Sequence, residues 1–117
     1  MRSDVLIKTE PVLESDAAAA VTAADAQDVR IAVTGELDAL GARPLQQAIL
    51  DALRRHRPHH ITIDLTGVTF LDTAGINTLI QSRADARQLD CQLRLSNPRP
   101  PVYRVLHIVG LLTPFGL

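Results

Sequence analysis

Phe70-Leu71-Asp72-Thr73-Ala74-Gly75 places an acid, a hydroxyl and a glycine within a few residues of one another. Asp and Thr side chains accept hydrogen bonds from the unpaired amides of a first helical turn, so Asp72-Thr73 marks a helix start. Those amides and the helix dipole favour negative charge. A phosphate on the Thr73 hydroxyl would add about -1.5 to -2 charges there without disturbing a core. Asp72 would repel that charge while helping to cap the helix. Gly75, having no side chain, would let a partner's backbone approach closely. From spacing alone, the same residues read first as a plain helix N-cap. A second segment, Thr34-Gly35-Glu36-Leu37-Asp38, brings another acid to a strand end.

Other reactive side chains make weaker constellations. Asp38, Asp64 and Asp72 can be drawn as an acid cluster, with His56, His59, His60 and His107 as bases or ligands. Asp64 lies between Ile63 and Leu65 on an alternating strand, so its side chain should point away from theirs. His59 and His60 are adjacent on that strand and face opposite sides, which is poor chelate geometry. With Arg54, Arg55 and Arg57 they read as a solvated basic loop. No glycine-rich phosphate loop with a following lysine is present. The expectation is therefore no catalytic residue, no metal and no cofactor. Cys91, the single cysteine, excludes an internal disulfide and a multi-cysteine zinc site. It opens an apolar-alternating strand and is expected to be a small buried hydrophobe.

The positioning elements follow from periodicity. Val5–Ile7 is a short first strand. Val29, Ile31 and Val33 alternate as a half-buried strand ended by Gly35. Leu45, Ala48, Ile49, Ala52 and Leu53 recur on one helix face, with Pro44 tolerable only in the first turn. Arg54, Arg55 and Arg57 favour the negative end of that helix, and Pro58 stops it. Ile61, Ile63 and Leu65 form the next strand, continued less regularly by Val68 and Phe70, with a kink at Thr66-Gly67. Ile76, Leu79, Ile80, Ala84 and Arg87 mark a second helix. Cys91, Leu93 and Leu95 form another strand, Asn97-Pro98 with Pro100-Pro101 a stiff turn, and Val102, Val105, Leu106 and Val109 a third helix ended by Gly110. This order predicts an α/β (α+β-like) fold: a mixed sheet of four or five strands with three to four helices and parallel right-handed crossovers. The first strand pairs antiparallel with the second. In such sheets functional groups gather at strand carboxyl ends, which brings the Asp38 and Thr73 segments to one edge.

The chain has 117 residues, enough for one domain spanning 1–117. Apolar residues make up 46%, which suits a real core. No apolar run approaches the roughly 18–20 residues of a membrane span, and no leader of the secretory kind is visible, so the expected location is the cytoplasm. A net charge of -1 and only three aromatics (Phe70, Tyr103, Phe115) argue against direct nucleic-acid binding. The charge is uneven: the first 40 residues carry eight acids against three bases, and the rest five acids against nine arginines. The acidic, alanine-rich stretch 10–28 reads as a flexible loop.

Gly35-Glu36-Leu37-Asp38, Asp64-Leu65 through Val68, and Phe70-Leu71-Asp72-Thr73-Ala74-Gly75-Ile76 together resemble the STAS domains of bacterial anti-sigma-factor antagonists. The resemblance covers residues 29–112 and extends to Asn97-Pro98 and to Val105-Leu106 with Gly110-Leu111. It implies a partner-switching protein rather than an enzyme. In that family a Ser or Thr after the Asp of the Asp-Ser/Thr-x-Gly segment, here Thr73, is phosphorylated by an anti-sigma factor with serine/threonine kinase activity. The unmodified antagonist binds the anti-sigma factor and frees the sigma factor; the phosphorylated form releases, and a phosphatase resets it. Asp38 matches the acid of the family's first loop. The partner-binding patch is then Asp38, Asp72, Thr73, Ala74, Gly75 and Ile76.

Three departures bear on this. Thr73 stands where many members have Ser, and its methyl restricts rotamers. Ala74 stands where Ser is frequent, and Asn77-Thr78 replaces a smaller, glycine-containing step. The chain also stops soon after Gly110-Leu111-Leu112, where many relatives continue into a further strand or helix, so a short or a truncated end is expected. The rival expectation is a non-switching STAS scaffold or regulatory interaction module. Nothing in the residues sets the oligomeric state, or which sigma factor is served.

Overall fold

The computed structural model describes residues 6–12 and 28–117. Strands β1 (Leu6–Val12) and β2 (Asp28–Leu37) precede helix α1 (Ala39–His56), and β3 (His60–Leu71) precedes α2 (Thr73–Gln88). Strand β4 (Gln92–Ser96), helix α3 (Pro100–Ile108) and a 3-10 turn (Thr113–Phe115) complete the order. The strands form one sheet in the order β1-β2-β3-β4. β1 is antiparallel to β2, and the β2–β3 and β3–β4 pairs are parallel. This is the mixed α/β sheet with three helices that the periodicity predicts.

Alternation puts one side of each strand into the core: Val29, Ile31 and Val33 on β2, Ile61, Ile63 and Leu65 on β3, Leu93 and Leu95 on β4. α1 contributes Leu45, Ile49 and Leu53, α2 Leu79, and α3 Val102 and Leu106. Phe115 of the 3-10 turn is fully buried among them.

Several boundaries differ from the sequence expectations. β1 runs to Val12, not Ile7, and β2 begins at Asp28, with Glu10 paired to Arg30 and Val12 to Asp28. The stretch read as an acidic loop over 10–28 therefore has strand at both ends, and its residues 13–27 lie outside the described residues. Gly35 does not end the second strand. It adopts φ 104 inside β2, which continues to Leu37. α1 starts at Ala39, which places Pro44 beyond the first turn. Pro44 removes an amide that would bond the carbonyl of Leu40; Leu40 is exposed, so water can serve that carbonyl. Pro100 and Pro101 open α3 rather than forming a turn before it. Proline suits that position, where the missing amide has no helical partner in any case.

β3 carries two more residues than β2 over their shared length. Ala32 pairs with Asp64 but Thr34 with Gly67; Gly35 pairs with Val68 but Glu36 with Phe70. The first of these bulges matches the predicted kink at Thr66-Gly67, and the second, between Val68 and Phe70, falls where no kink is predicted. Gly67 is required there, since a Cβ would lie 2.4 Å from Cγ2 of Thr34.

Candidate functional site

Leu37 pairs with Leu71 at the carboxyl ends of β2 and β3. Asp38 and Asp72 follow directly, on parallel strands about 4.8 Å apart. Each acid caps the next helix. The Asp38 carboxylate accepts hydrogen bonds from the amides of Leu40 at 3.1 Å and Gly41 at 3.0 Å. The Asp72 carboxylate accepts from the amide of Gly75 at 3.1 Å. The two segments thus meet at one sheet edge, with the positive ends of two helices side by side.

A second bond ties the segments together. The amide of Asp72 donates to the carbonyl of Leu37 at 3.2 Å. Gly75 packs on the same carbonyl: a Cβ there would lie 2.3 Å from Leu37 O and 2.7 Å from Cδ1 of Leu71. Gly75 is buried. The close backbone approach that this glycine permits is therefore made within the chain, not by a partner, which corrects the expectation for that residue. Ile76 is partly buried and packs against the core, and Ala74 is half-buried. Thr73 is exposed on the first residue of α2, directly after the half-buried Asp72, and half-buried Asp38 follows the paired strand end at Leu37.

Two apolar residues near this edge escaped the sequence reading as surface candidates. Leu40 in the first turn of α1 is 63% exposed, and Phe70, next to last in β3, is 49% exposed. Leu40 lies well away from the Leu45/Ile49/Leu53 stripe at 100° per residue, which is the signal that marks it. Phe70 is displaced by the second bulge, and no local pattern reveals that.

Asp64 proves to be a structural clamp rather than part of an acid cluster. It points away from Ile63 and Leu65 as expected, yet is 5% exposed. It pairs with Arg30 of β2, accepts from the amide and hydroxyl of Thr66 at 3.0 and 2.6 Å, and accepts from Asn97 at 3.4 Å. Burial pushes its pKa up, but the bonds from Thr66 and Asn97 and the charge of Arg30 outweigh this and hold it below the ordinary value. The carboxylate thus pins β2, the first bulge and the β4–α3 connection together. His60 is engaged with Asp28 at 2.9 Å across the β2–β3 pair. Among the described residues, no three His, Cys, Asp or Glu side chains converge as metal ligands. Cys91 is 2% exposed, and burial pushes its thiol up to about 11.

The structure is thus a bulged mixed sheet whose parallel strand ends carry two capped helix starts, one with an exposed threonine. The chain belongs to the STAS-domain family: the family model described as "Mlab, STAS domain" matches residues 20–115. The anti-sigma F factor antagonist of Paenibacillus polymyxa is 25% identical over 81 residues, covering 69% of this chain and 69% of that protein. Sulfate transporter 1.3 of Arabidopsis thaliana is 35% identical over 63 residues, 54% of this chain, and the match spans only 10% of the transporter. The structure of the anti-sigma factor antagonist SpoIIAA in its unphosphorylated form superposes with a TM-score of 0.71 at 21% identity, covering 94% of this chain and 84% of that one. An anti-sigma factor antagonist from Mycobacterium paratuberculosis superposes with a TM-score of 0.73 at 24% identity, covering 96% and 83%. These likenesses show that the fold is that of the STAS domain. No helix among the described residues is long and apolar enough to cross a membrane.

Proposed function

We propose that this protein is an anti-sigma-factor antagonist, that it binds an anti-sigma factor with kinase activity, and that phosphorylation of Thr73 ends the complex. The observation that carries the reading is an exposed threonine on the first residue of α2, next to its capping acid Asp72, at the sheet edge where Asp38 caps α1. Kinase action would form an ester between Thr73 Oγ1 and the γ-phosphorus of ATP, expelling ADP and the hydroxyl proton. Refolding is unnecessary, because the modified side chain is outside the core. The new charge would lie beside the Asp72 carboxylate, so a partner surface fitted to the unmodified patch would meet a bulkier and more strongly negative one. Exposed Leu40 and Phe70 supply apolar contact area near the same edge. Relatives named for antagonism of sigma F and sigma B anti-sigma factors support the partner class. A structure of SpoIIAA in its phosphorylated form superposes with a TM-score of 0.65, which supports a scaffold able to carry the modification.

The test is incubation with a candidate kinase and ATP, site mapping by mass spectrometry, and pull-down with Thr73→Ala and Thr73→Asp. The expected result is label at Thr73, its loss in Thr73→Ala, and loss of partner capture by Thr73→Asp alone. Label that persists in Thr73→Ala would sink the site assignment. A second reading, a non-switching STAS regulatory module, is favoured by the match to part of a sulfate transporter. Equal capture of every partner by both variants would support it.

A further inference from the structure

A concave site lies at the far end of β3 from Thr73. The carboxyl-terminal half of α2, the starts of β3 and β4 and the 3-10 turn bound a cavity of about 530 Å³, whose wall includes His59, His60, Arg83, Arg87 and Pro114. Arg83 and Arg87 are four residues apart on α2, so both side chains leave the same helix face. Nε of Arg83 donates to the carbonyl of Pro114 at 3.1 Å. That bond anchors the guanidinium and leaves both terminal nitrogens available as donors. Like charges at this spacing repel each other along the helix. Ion pairs among the described residues include Arg30 with Asp64, Arg55 with Asp51 and His60 with Asp28, and none of these takes up Arg83 or Arg87. Asp90 on the wall is the one acid to set against these two arginines and His59. Buried Cys91 and Leu93 form an apolar floor, and no aromatic ring lines the cleft.

We propose that this cleft binds a small anion through a phosphate group held by Arg83 and Arg87. A guanidinium presents paired donors that match phosphate oxygens, and two of them on one face suit a dianion. His59 can donate a further hydrogen bond, while Nδ1 of His60 is taken up by Asp28. The volume is within the range of small-molecule sites and exceeds what a phosphate alone would fill. The occupant is therefore a phosphorylated metabolite or a phosphate-bearing lipid headgroup, recognised without base stacking. The site is independent of the Thr73 reading.

The test is an NMR titration of the full chain with glycerol 3-phosphate at constant ionic strength, alongside sedimentation with phosphatidic acid vesicles and phosphatidylcholine vesicles as the blank. The expected result is saturable shifts at Arg83, Arg87, Gln92 and His59, with Thr73 unmoved. Loss of one charged hydrogen-bonding partner in Arg87→Ala should weaken binding about tenfold or more. The paired change Arg54→Ala/Arg55→Ala on α1, with greater loss of charge, should leave it unchanged. Arg87 is exposed, so Arg87→Ala should keep the parent unfolding midpoint. Arg87-dependent binding of the soluble probe assigns a metabolite, and of phosphatidic acid vesicles alone a headgroup. Failure to saturate with both probes, or equal weakening by the α1 change, would overturn the proposal.

Discussion

Replacing Gly75 with alanine puts a methyl carbon 2.3 Å from the carbonyl oxygen of Leu37, 2.7 Å from Cδ1 of Leu71 and 3.1 Å from Cβ of Leu37. The leucine Cδ1 can swing aside, but the carbonyl cannot, because it belongs to β2 and accepts the Asp72 amide. An ordinary contact would need the start of α2 to retreat by about 1 Å. Overpacking of this kind costs about 1–3 kcal/mol. Stretching the Asp72–Leu37 bond adds up to about 1 kcal/mol. The higher helix propensity of alanine returns at most about 1 kcal/mol. The net expectation is a loss of about 1–3 kcal/mol, or roughly 1 M in the urea midpoint for a domain of this size. Equilibrium urea unfolding of parent and variant measures it directly, and the slope should stay the same. Partner capture should weaken as well, because Thr73 and the Asp72 cap move with the helix start. A Gly75→Ala variant as stable as the parent, or more so, would refute the packing argument and return Gly75 to the role of an open contact for a partner.

The remaining predictions concern the caps, the clamp and the thiol. Asp72→Ala should cost about 1 kcal/mol through loss of the N-cap bond, and Asp72→Asn much less, both read from urea midpoints. Asp64→Asn should destabilise the fold by about 1–3 kcal/mol at neutral pH, since bonds to charged and buried groups are weakened. The folded pKa of Asp64 is held below its ordinary 3.8. Its contribution is therefore present above that value and lost as pH falls through the folded pKa. The parent–variant gap should close on acidification; a gap constant from neutral pH to below the folded pKa would contradict this. Cys91, buried and with its thiol pushed up to about 11, should react with a thiol reagent at neutral pH only as fast as the protein opens. Labelling at the rate of a free thiol would contradict the burial.

Much of the architecture is legible in the chain because it repeats locally. The odd-numbered positions from Val29 to Val33 and from Ile61 to Leu65, and the stripe Leu45/Ile49/Leu53, each report their own secondary structure. Asp72 announces its cap through its neighbours alone. The failures occur where a remote partner decides. Gly35 resembles a strand terminator, but the bulge opposite it lets β2 continue. Pro44 resembles a first-turn residue, but Asp38 caps the helix seven residues before the apolar stripe begins at Leu45.

By itself, then, the sequence determined the element types, the capped threonine and the family resemblance, because capping and periodicity depend on neighbours within a turn. The tertiary structure decided what those residues face. Gly75 serves its own chain because Leu37 arrives from another strand, and Asp64 is a clamp because Arg30, Thr66 and Asn97 converge on it. Arg83 and Arg87 share a cleft with His59 and Pro114 because the sheet register and the 3-10 turn bring distant segments together. Such contacts arise from the closure of long loops, and no local pattern in the chain records them.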